Sequence, residues 1–390
     1  MSASTPALFQ PVALGDITLH HRIVMAPLTR FRADNKHAVG PMNLEYYAQR
    51  AAAPGTLIIT EGTFIAPQAG GTNNIPGIWS DDQIAGWKTI VDAVHAKGSY
   101  IYMQLWTVGA GADPSVLQAE GYPYVAAGSV PFDGHGPTPP RPMSIEEMRE
   151  LVELYATAAR NAVHQAGFDG VEVHAANGYL LDQFLHTTTN DRTDAYGGSV
   201  DNRVRFPLEV LAAVVAAVGA KKTAIRVSPW SNFQRTPFLQ LYDISPHSSC
   251  VRCTGERMND PIPTYAQLFT GIRTAHPDLS YVHIVEPRVD GPVPREGGPV
   301  AGESNDFIRA IWGDRRIITT GRYTRESGIA AAERTGCLVG YGRAFLANPD
   351  LVRRLQEDLP LNEGDESTFY SPGPAGYIDY PFAPVKTHLA

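Results

Sequence analysis

Residues 174–179 read H-A-A-N-G-Y and set an imidazole, an amide and a phenol close together in the chain. His174 and Asn177 can donate two hydrogen bonds to one oxygen, which stabilises charge developing on a carbonyl. A free phenol titrates at about pH 10, so a tyrosine such as Tyr179 keeps its proton at neutral pH and can act as a general acid. The plainer alternative, a hydrogen-bonded strand-end histidine beside a packing tyrosine, stays open on this motif alone. Two other pairs suit a different task. Gly321-Arg322 and Gly342-Arg343 each join a residue that lets backbone N–H groups approach a ligand to a guanidinium that can grip phosphate oxygens through two hydrogen bonds. A phosphorylated ligand is expected there. Thr29, Arg30, Glu61, Gln104, Trp106, Arg226, Glu286 and Arg288 occupy comparable places, each in or just after a short apolar run.

Those runs must position the chemistry. They span 22–26, 57–61, 100–105, 170–174, 223–228, 281–286, 316–321 and 337–343. Stretches such as LIIT and AIRVS are apolar throughout rather than alternating, as in strands buried on both faces of a parallel sheet. Amphipathic stretches of helical period separate them. In one, Ser144 can cap with Glu147 at the capping-box position, and Met148, Leu151, Val152, Tyr155, Ala159, Ala162 and Val163 form an apolar stripe that stops at Gly167. Further helices are expected over 81–97, 201–218, 261–276, 303–312, 324–334 and 348–355. Eight strands alternating with helices predict an α/β fold, a closed (β/α)8 TIM barrel forming a single domain over 1–390. An open doubly wound sheet competes, but no G-x-G-x-x-G follows the first strand. In such a barrel the chemistry sits at the C-terminal ends of the strands, and the loops after strands 7 and 8 hold phosphate. Three stretches stand outside the repeat: an excursion over 107–143, residues 234–259, and a tail from Leu361 carrying Tyr370, Tyr377, Tyr380 and Phe382.

Composition narrows the partners. Thirty-two Lys and Arg against 40 Asp and Glu leave a net charge of −8, so there is no positive field for nucleic acid or an anionic membrane. Hydrophobic residues make up 43%, enough for a large core. Cys250, Cys253 and Cys337 do not form a disulfide framework. With neither a signal peptide nor an apolar run of membrane length, the expected location is cytoplasmic.

Five segments in order, MAPLTR (25–30), QLW (104–106), HAANGYLLDQF (174–184), RTDAYGGS (192–199) and GYIDYP (376–381), resemble the old yellow enzyme family of flavin-dependent ene-reductases. The resemblance runs from about residue 8 to residue 382. It implies a barrel with non-covalent FMN at its mouth, reduced by NADPH or NADH and reoxidised by an alkene conjugated to a carbonyl or nitro group. The substrate would be a small-molecule enone or enal and the protein a monomer or homodimer. Pro27, Leu28 and Thr29 would lie at the flavin, with Thr29 on the carbonyl beside N5. Gln104 would read the pyrimidine edge, and Arg226 would face the N1/O2 side, where a fixed cation favours the negative charge of the reduced ring. Gly321, Arg322, Gly342 and Arg343 would take the ribityl phosphate. Substrate would place its oxygen between His174 and Asn177, receive hydride from N5 on its β-carbon and take a proton from Tyr179 on its α-carbon. Trp106, Phe233, Val293 and Tyr377 would line the substrate space, with ordinary apolar packing as the alternative for each.

The resemblance departs at 235–257, RTPFLQLYDISPHSSCVRCTGER, an atypical insertion of about 20 residues beside Phe233. Cys250 and Cys253 have half the spacing of a zinc site without a second pair, so no metal is expected. Two variants would keep the flavin: a redox-neutral isomerase, which loss of the proton donor would favour although Tyr179 is present, and a flavin-binding protein disabled by the insertion. A metal-dependent barrel hydrolase using His174, His186 and His283 belongs to another class. It is disfavoured because the first strand offers neither histidine nor carboxylate.

Overall fold

The computed structural model describes residues 4–132, 138–233, 258–291, 293–295 and 297–384, so the insertion expected at 235–257 lies outside the described residues. Eight parallel strands form the centre: β1 (Ile23–Met25), β2 (Leu57–Ile59), β3 (Tyr100–Trp106), β4 (Gly170–Ala175), β5 (Thr223–Val227), β6 (Tyr281–Val285), β7 (Ile317–Thr320) and β8 (Leu338–Tyr341). Each pairs with the next in the chain, and β8 pairs with β1, so the sheet closes. All eight predicted runs become strands of one (β/α)8 barrel.

Alternation along each strand divides the core in two. Val171 and Val173 of β4, Ile225 of β5 and Val282 of β6 face outward and pack with helix residues such as Trp87, Leu151 and Phe206. Their neighbours Ala224 and Tyr281 face inward with Val24, Leu57, Ile59, Tyr102, Ile318 and Leu338. An antiparallel hairpin, Val12–Leu14 with Ile17–Leu19, adds Val12, Leu14 and Leu19 to this inner cluster and closes the floor. Its turn requires Gly15: φ is +54°, and a Cβ there would lie 2.1 Å from the Lys221 carbonyl oxygen.

The outer helices are α1 (Pro41–Arg50), α2 (Asp81–His95), α3 (Pro114–Glu120), α4 (Ile145–Arg160), α5 (Leu180–Leu185), α6 (Val200–Val218), α7 (Ile262–Ala275), α8 (Asp306–Trp312), α9 (Arg325–Thr335), α10 (Arg343–Ala347) and α11 (Leu351–Glu357). Helix α1 was not anticipated, because its buried face is Asn43, Tyr46, Tyr47 and Arg50 rather than an aliphatic stripe. Helices α5 and α10, of six and five residues, are too short to show a period, and α3 lies inside the 107–143 excursion. Among the described residues no helix is long and apolar enough to cross a membrane.

The cap foreseen for α4 forms in full. Ser144 Oγ accepts from the Glu147 N–H at 3.1 Å, and Glu147 Oε2 accepts from the Ser144 N–H at 2.7 Å. Ser144→Ala is therefore expected to lower the unfolding free energy by about 1 kcal/mol, read from urea denaturation; an unchanged midpoint would show that tertiary packing alone holds this helix start.

Candidate active site

A cavity of about 850 Å³ opens at the C-terminal ends of the strands. Its β4 wall carries His174, Asn177 and Tyr179. His174 Nδ1 accepts from the Ala176 N–H at 3.3 Å, which leaves the proton of a neutral ring on Nε2. Burial, then the nearby Arg226 and His283, push the imidazole well below its ordinary range, so the ring stays neutral. Asn177 sits at φ +58°, its N–H held by Ser228 Oγ at 2.7 Å, and its side-chain Oδ1 is buried without a hydrogen-bond partner. Gly178 N–H donates to Asp182 Oδ2 at 2.8 Å, tying this turn to α5. Tyr179 meets the Trp106 ring edge-on, centroids 4.6 Å apart, and the His174 ring at 5.1 Å.

The cavity floor is polar. Gln104 and Arg226 both line it, and beneath them lies Glu172, fully buried. Glu172 Oε1 accepts from Gln104 Nε2 at 2.7 Å, and Oε2 accepts from His283 Nδ1 at 2.9 Å. Arg226 Nε is buried with no hydrogen-bond partner. Of the three histidines that a hydrolase would need, only His174 lines the cavity. His283 lies below it, and His186 is committed to Tyr265 Oη at 3.0 Å.

Half a barrel turn from β4, the other wall holds Gly321, Arg322, Gly342 and Arg343 beside Ala26, Pro27, Leu28 and Thr29. Gly321 has φ +150°, and a Cβ there would stand 3.0 Å from Glu286 Cβ and 3.3 Å from Arg288 Nε. Arg322 follows at φ +55°. Arg343 pairs with Glu366 of the tail at 2.5 Å. Glu286 and Arg288 themselves stand behind the wall: Glu286 accepts from Arg309 at 2.5 Å, and Arg288 lies over the Tyr323 ring at 3.9 Å.

Comparison with known proteins agrees with this geometry. Residues 7–362 match the model of the NADH:flavin oxidoreductase / NADH oxidase family. A chanoclavine-I aldehyde reductase from Penicillium roqueforti is 48% identical over 384 residues, 96% of each chain. Enoate reductase 1 from Kluyveromyces lactis is 39% identical over 392 residues, 96% of this chain and 93% of that one. The crystal structure of old yellow enzyme from Pichia sp. AKU4542 superposes with a TM-score of 0.83 at 37% identity, covering 97% of this chain and 94% of that one. The chain belongs to the old yellow enzyme family. It is an FMN-dependent oxidoreductase, with a nicotinamide nucleotide as reductant.

The residues present fit that cofactor. A phosphate group suits the Gly321-Arg322 and Gly342-Arg343 corner, where side chains are absent at the glycines and two guanidinium groups line the wall. The unpaired, buried Arg226 Nε at the floor suits an acceptor on the bound ring. Trp106 and Phe233 line the cavity, with Phe233 packed over Gly291, where a Cβ would come within 2.4 Å of the ring.

Two expectations need correction. Val293 lies on a short strand, Val293–Pro294, and is 37% exposed, so Val289 and Gly291 line the cavity in its place. Tyr377 is 0% exposed and stacks on Tyr46 at 4.1 Å, with Arg30 and Arg32 over its ring. The tail residues at the cavity are instead Phe369, Tyr370 and Pro372. Tyr370 packs edge-on against Phe31, also in the lining, at 5.7 Å. Nothing periodic in the irregular tail distinguishes Tyr370 from Tyr377, so their orientations are set by tertiary contacts. The 107–143 excursion contributes Val108, Gly111, Asp113, Val116 and Phe132 to the wall.

Tyr377→Ala is expected to cost about 3–5 kcal/mol of stability, whereas Tyr377→Phe, which keeps the ring and loses only the hydrogen bond that the hydroxyl accepts from Asn43 Nδ2 at 3.1 Å, should cost about 1 kcal/mol and keep turnover; a substrate-specific KM change in the phenylalanine variant would restore a role at the substrate. Glu61 offers a second check. Burial raises its carboxyl to about 7, against the opposing hydrogen bond from the Arg30 N–H at 3.2 Å. The folded state thus holds a proton that the unfolded chain releases near 4.5, and stability should fall as pH rises from there to about 7. Denaturation across that range should show this component in the native protein and not in Glu61→Gln.

Proposed function

We propose that the protein reduces the C=C bond of α,β-unsaturated carbonyl or nitro compounds with electrons from NADPH or NADH. The observation that carries this reading is the convergence of His174, Asn177 and Tyr179 on one cavity wall, half a barrel turn from the Gly-Arg corner. When bound, FMN supplies the hydride that it has taken from the nicotinamide. The protein's own groups do the rest. His174, neutral and protonated on Nε2, donates to the activating oxygen of the substrate, and the Asn177 amide donates beside it, so charge arising on that oxygen is met by two fixed dipoles. The Tyr179 hydroxyl delivers the proton to the α-carbon, its ring held edge-on by Trp106. Phe31, Phe233 and Tyr370 give the remaining space an apolar, aromatic lining suited to a conjugated substrate.

The test uses purified protein with FMN under anaerobic conditions. NADPH should bleach the flavin and 2-cyclohexenone should restore its colour, one NADPH being consumed per alkene reduced. Tyr179→Phe should bleach at the native rate but recover colour about 100-fold more slowly, the usual worth of a positioned general acid. Bleaching with no recovery on any enone would sink the reading. Alkene conversion without net NADPH consumption would replace reduction by isomerisation.

A further inference from the structure

Gln104 and Arg226 are the floor groups expected to meet the flavin, and both are governed by a residue that never reaches the cavity. Glu172 lies on β4 one inward position below His174, directly across from Gln104 in the β3–β4 register. Its partner on β5 is Ala224, whose methyl leaves room for the carboxylate to reach over that strand to His283 on β6. The carboxylate is fully buried and accepts at both oxygens, from Gln104 Nε2 at 2.7 Å and from His283 Nδ1 at 2.9 Å. Both partners are donors, so they favour the ionised carboxylate. Burial would raise its pKa, but the attraction of its neighbours and these hydrogen bonds outweigh that and hold it below the ordinary range. His283 is pushed down by its own burial and serves as a neutral Nδ1–H donor, and its buried Nε2 has no hydrogen-bond partner among the described residues.

Resting on the flavin reading above, we propose that Glu172 is a positioning residue that dictates what the floor can recognise and how strongly it favours the reduced cofactor. By accepting a hydrogen bond from the Gln104 amide N–H it fixes which way that amide faces. Nε2 is committed downward, and Oε1 becomes the acceptor offered at the cavity, a match for the N–H of the flavin's imide edge. A freed amide could turn over and offer donors instead. Glu172 also supplies the negative charge that offsets Arg226 from below, so the floor presents a compensated cation rather than a bare one.

The experiment compares the native protein with Glu172→Gln, measuring the dissociation constants of FMN and of FMN methylated at the imide nitrogen by fluorescence quenching, and the midpoint potential by dye equilibration. The native protein should prefer FMN clearly over the methylated form. Glu172→Gln should bind FMN about tenfold more weakly, the usual consequence of losing a charge-assisted hydrogen bond. Its discrimination between the two flavins should narrow, and its potential should shift positive as negative charge beneath the ring is lost. A folded Glu172→Gln protein with native affinity, discrimination and potential overturns the proposal while leaving the flavin reading intact. A native protein that binds no FMN overturns both. If Glu172→Gln does not fold, Glu172→Asp decides: it keeps the charge but withdraws the carboxylate by one methylene, so narrowed discrimination at a near-native potential supports the proposal and native discrimination overturns it.

Discussion

Inside a closed barrel an ion has no water to turn to, so each buried charge must find its partner on a neighbouring strand or in chain wrapped over the mouth. Both solutions occur here. On the inner face of β4, Glu172 is held by donors from β3 and β6, below the Arg226 that lines the cavity. Around β1, three arginines depend on the tail. The site lies between these two arrangements, and two buried polar atoms of residues that line it, Asn177 Oδ1 and Arg226 Nε, have no partner among the described residues and are left for a ligand.

The arginines explain why the tail belongs to the active site. Arg30 donates to the carbonyl oxygens of Phe369 at 2.9 Å and Gly376 at 2.7 Å, and Arg32 reaches those of Gly373, Thr368 and Ala375 at 2.8–3.0 Å. Arg50, buried in α1, donates to the Tyr377 carbonyl at 3.3 Å and lies over the Tyr46 ring at 3.7 Å. Guanidinium groups suit this role because their several fixed donors can satisfy carbonyls that an irregular tail leaves without secondary-structure partners. Phe369, Tyr370 and Pro372 are thereby brought to the cavity by residues that lie just past Thr29, itself in the lining. The segment MAPLTR thus serves twice, once toward the ligand and once as the anchor of a strap more than 300 residues away in the chain.

Much of this was legible in the chain. Strand positions followed from apolar runs such as LIIT and AIRVS, whose burial on both faces is a local property of composition. The Ser144 and Glu147 cap could be read directly, because the partners stand three residues apart. The strand-end residues His174, Gln104, Arg226, Arg322 and Arg343 line one cavity because a parallel barrel gathers its C-terminal strand ends whatever the loops do. Helix α1 was missed because aromatic and charged residues form its buried face, and that face makes sense only opposite Tyr377 and the tail carbonyls.

The order of residues thus settles the alternation, the closure and the set of polar groups at the mouth, since each depends on periodicity or on short-range spacing. It also carries the family, through segments whose own geometry is local. Which aromatic of the tail meets the cavity is another matter. Tyr370 and Tyr377 are seven residues apart in a stretch without regular period, and their roles were assigned by Arg30 and Arg32, just after β1, which draw the Tyr377 ring into a buried stack and leave Tyr370 facing Phe31. The orientation of the Gln104 amide was likewise fixed across strands, by a carboxylate 68 residues further along the chain. Contacts of that range are made by folding, because no pattern within either segment records the partner.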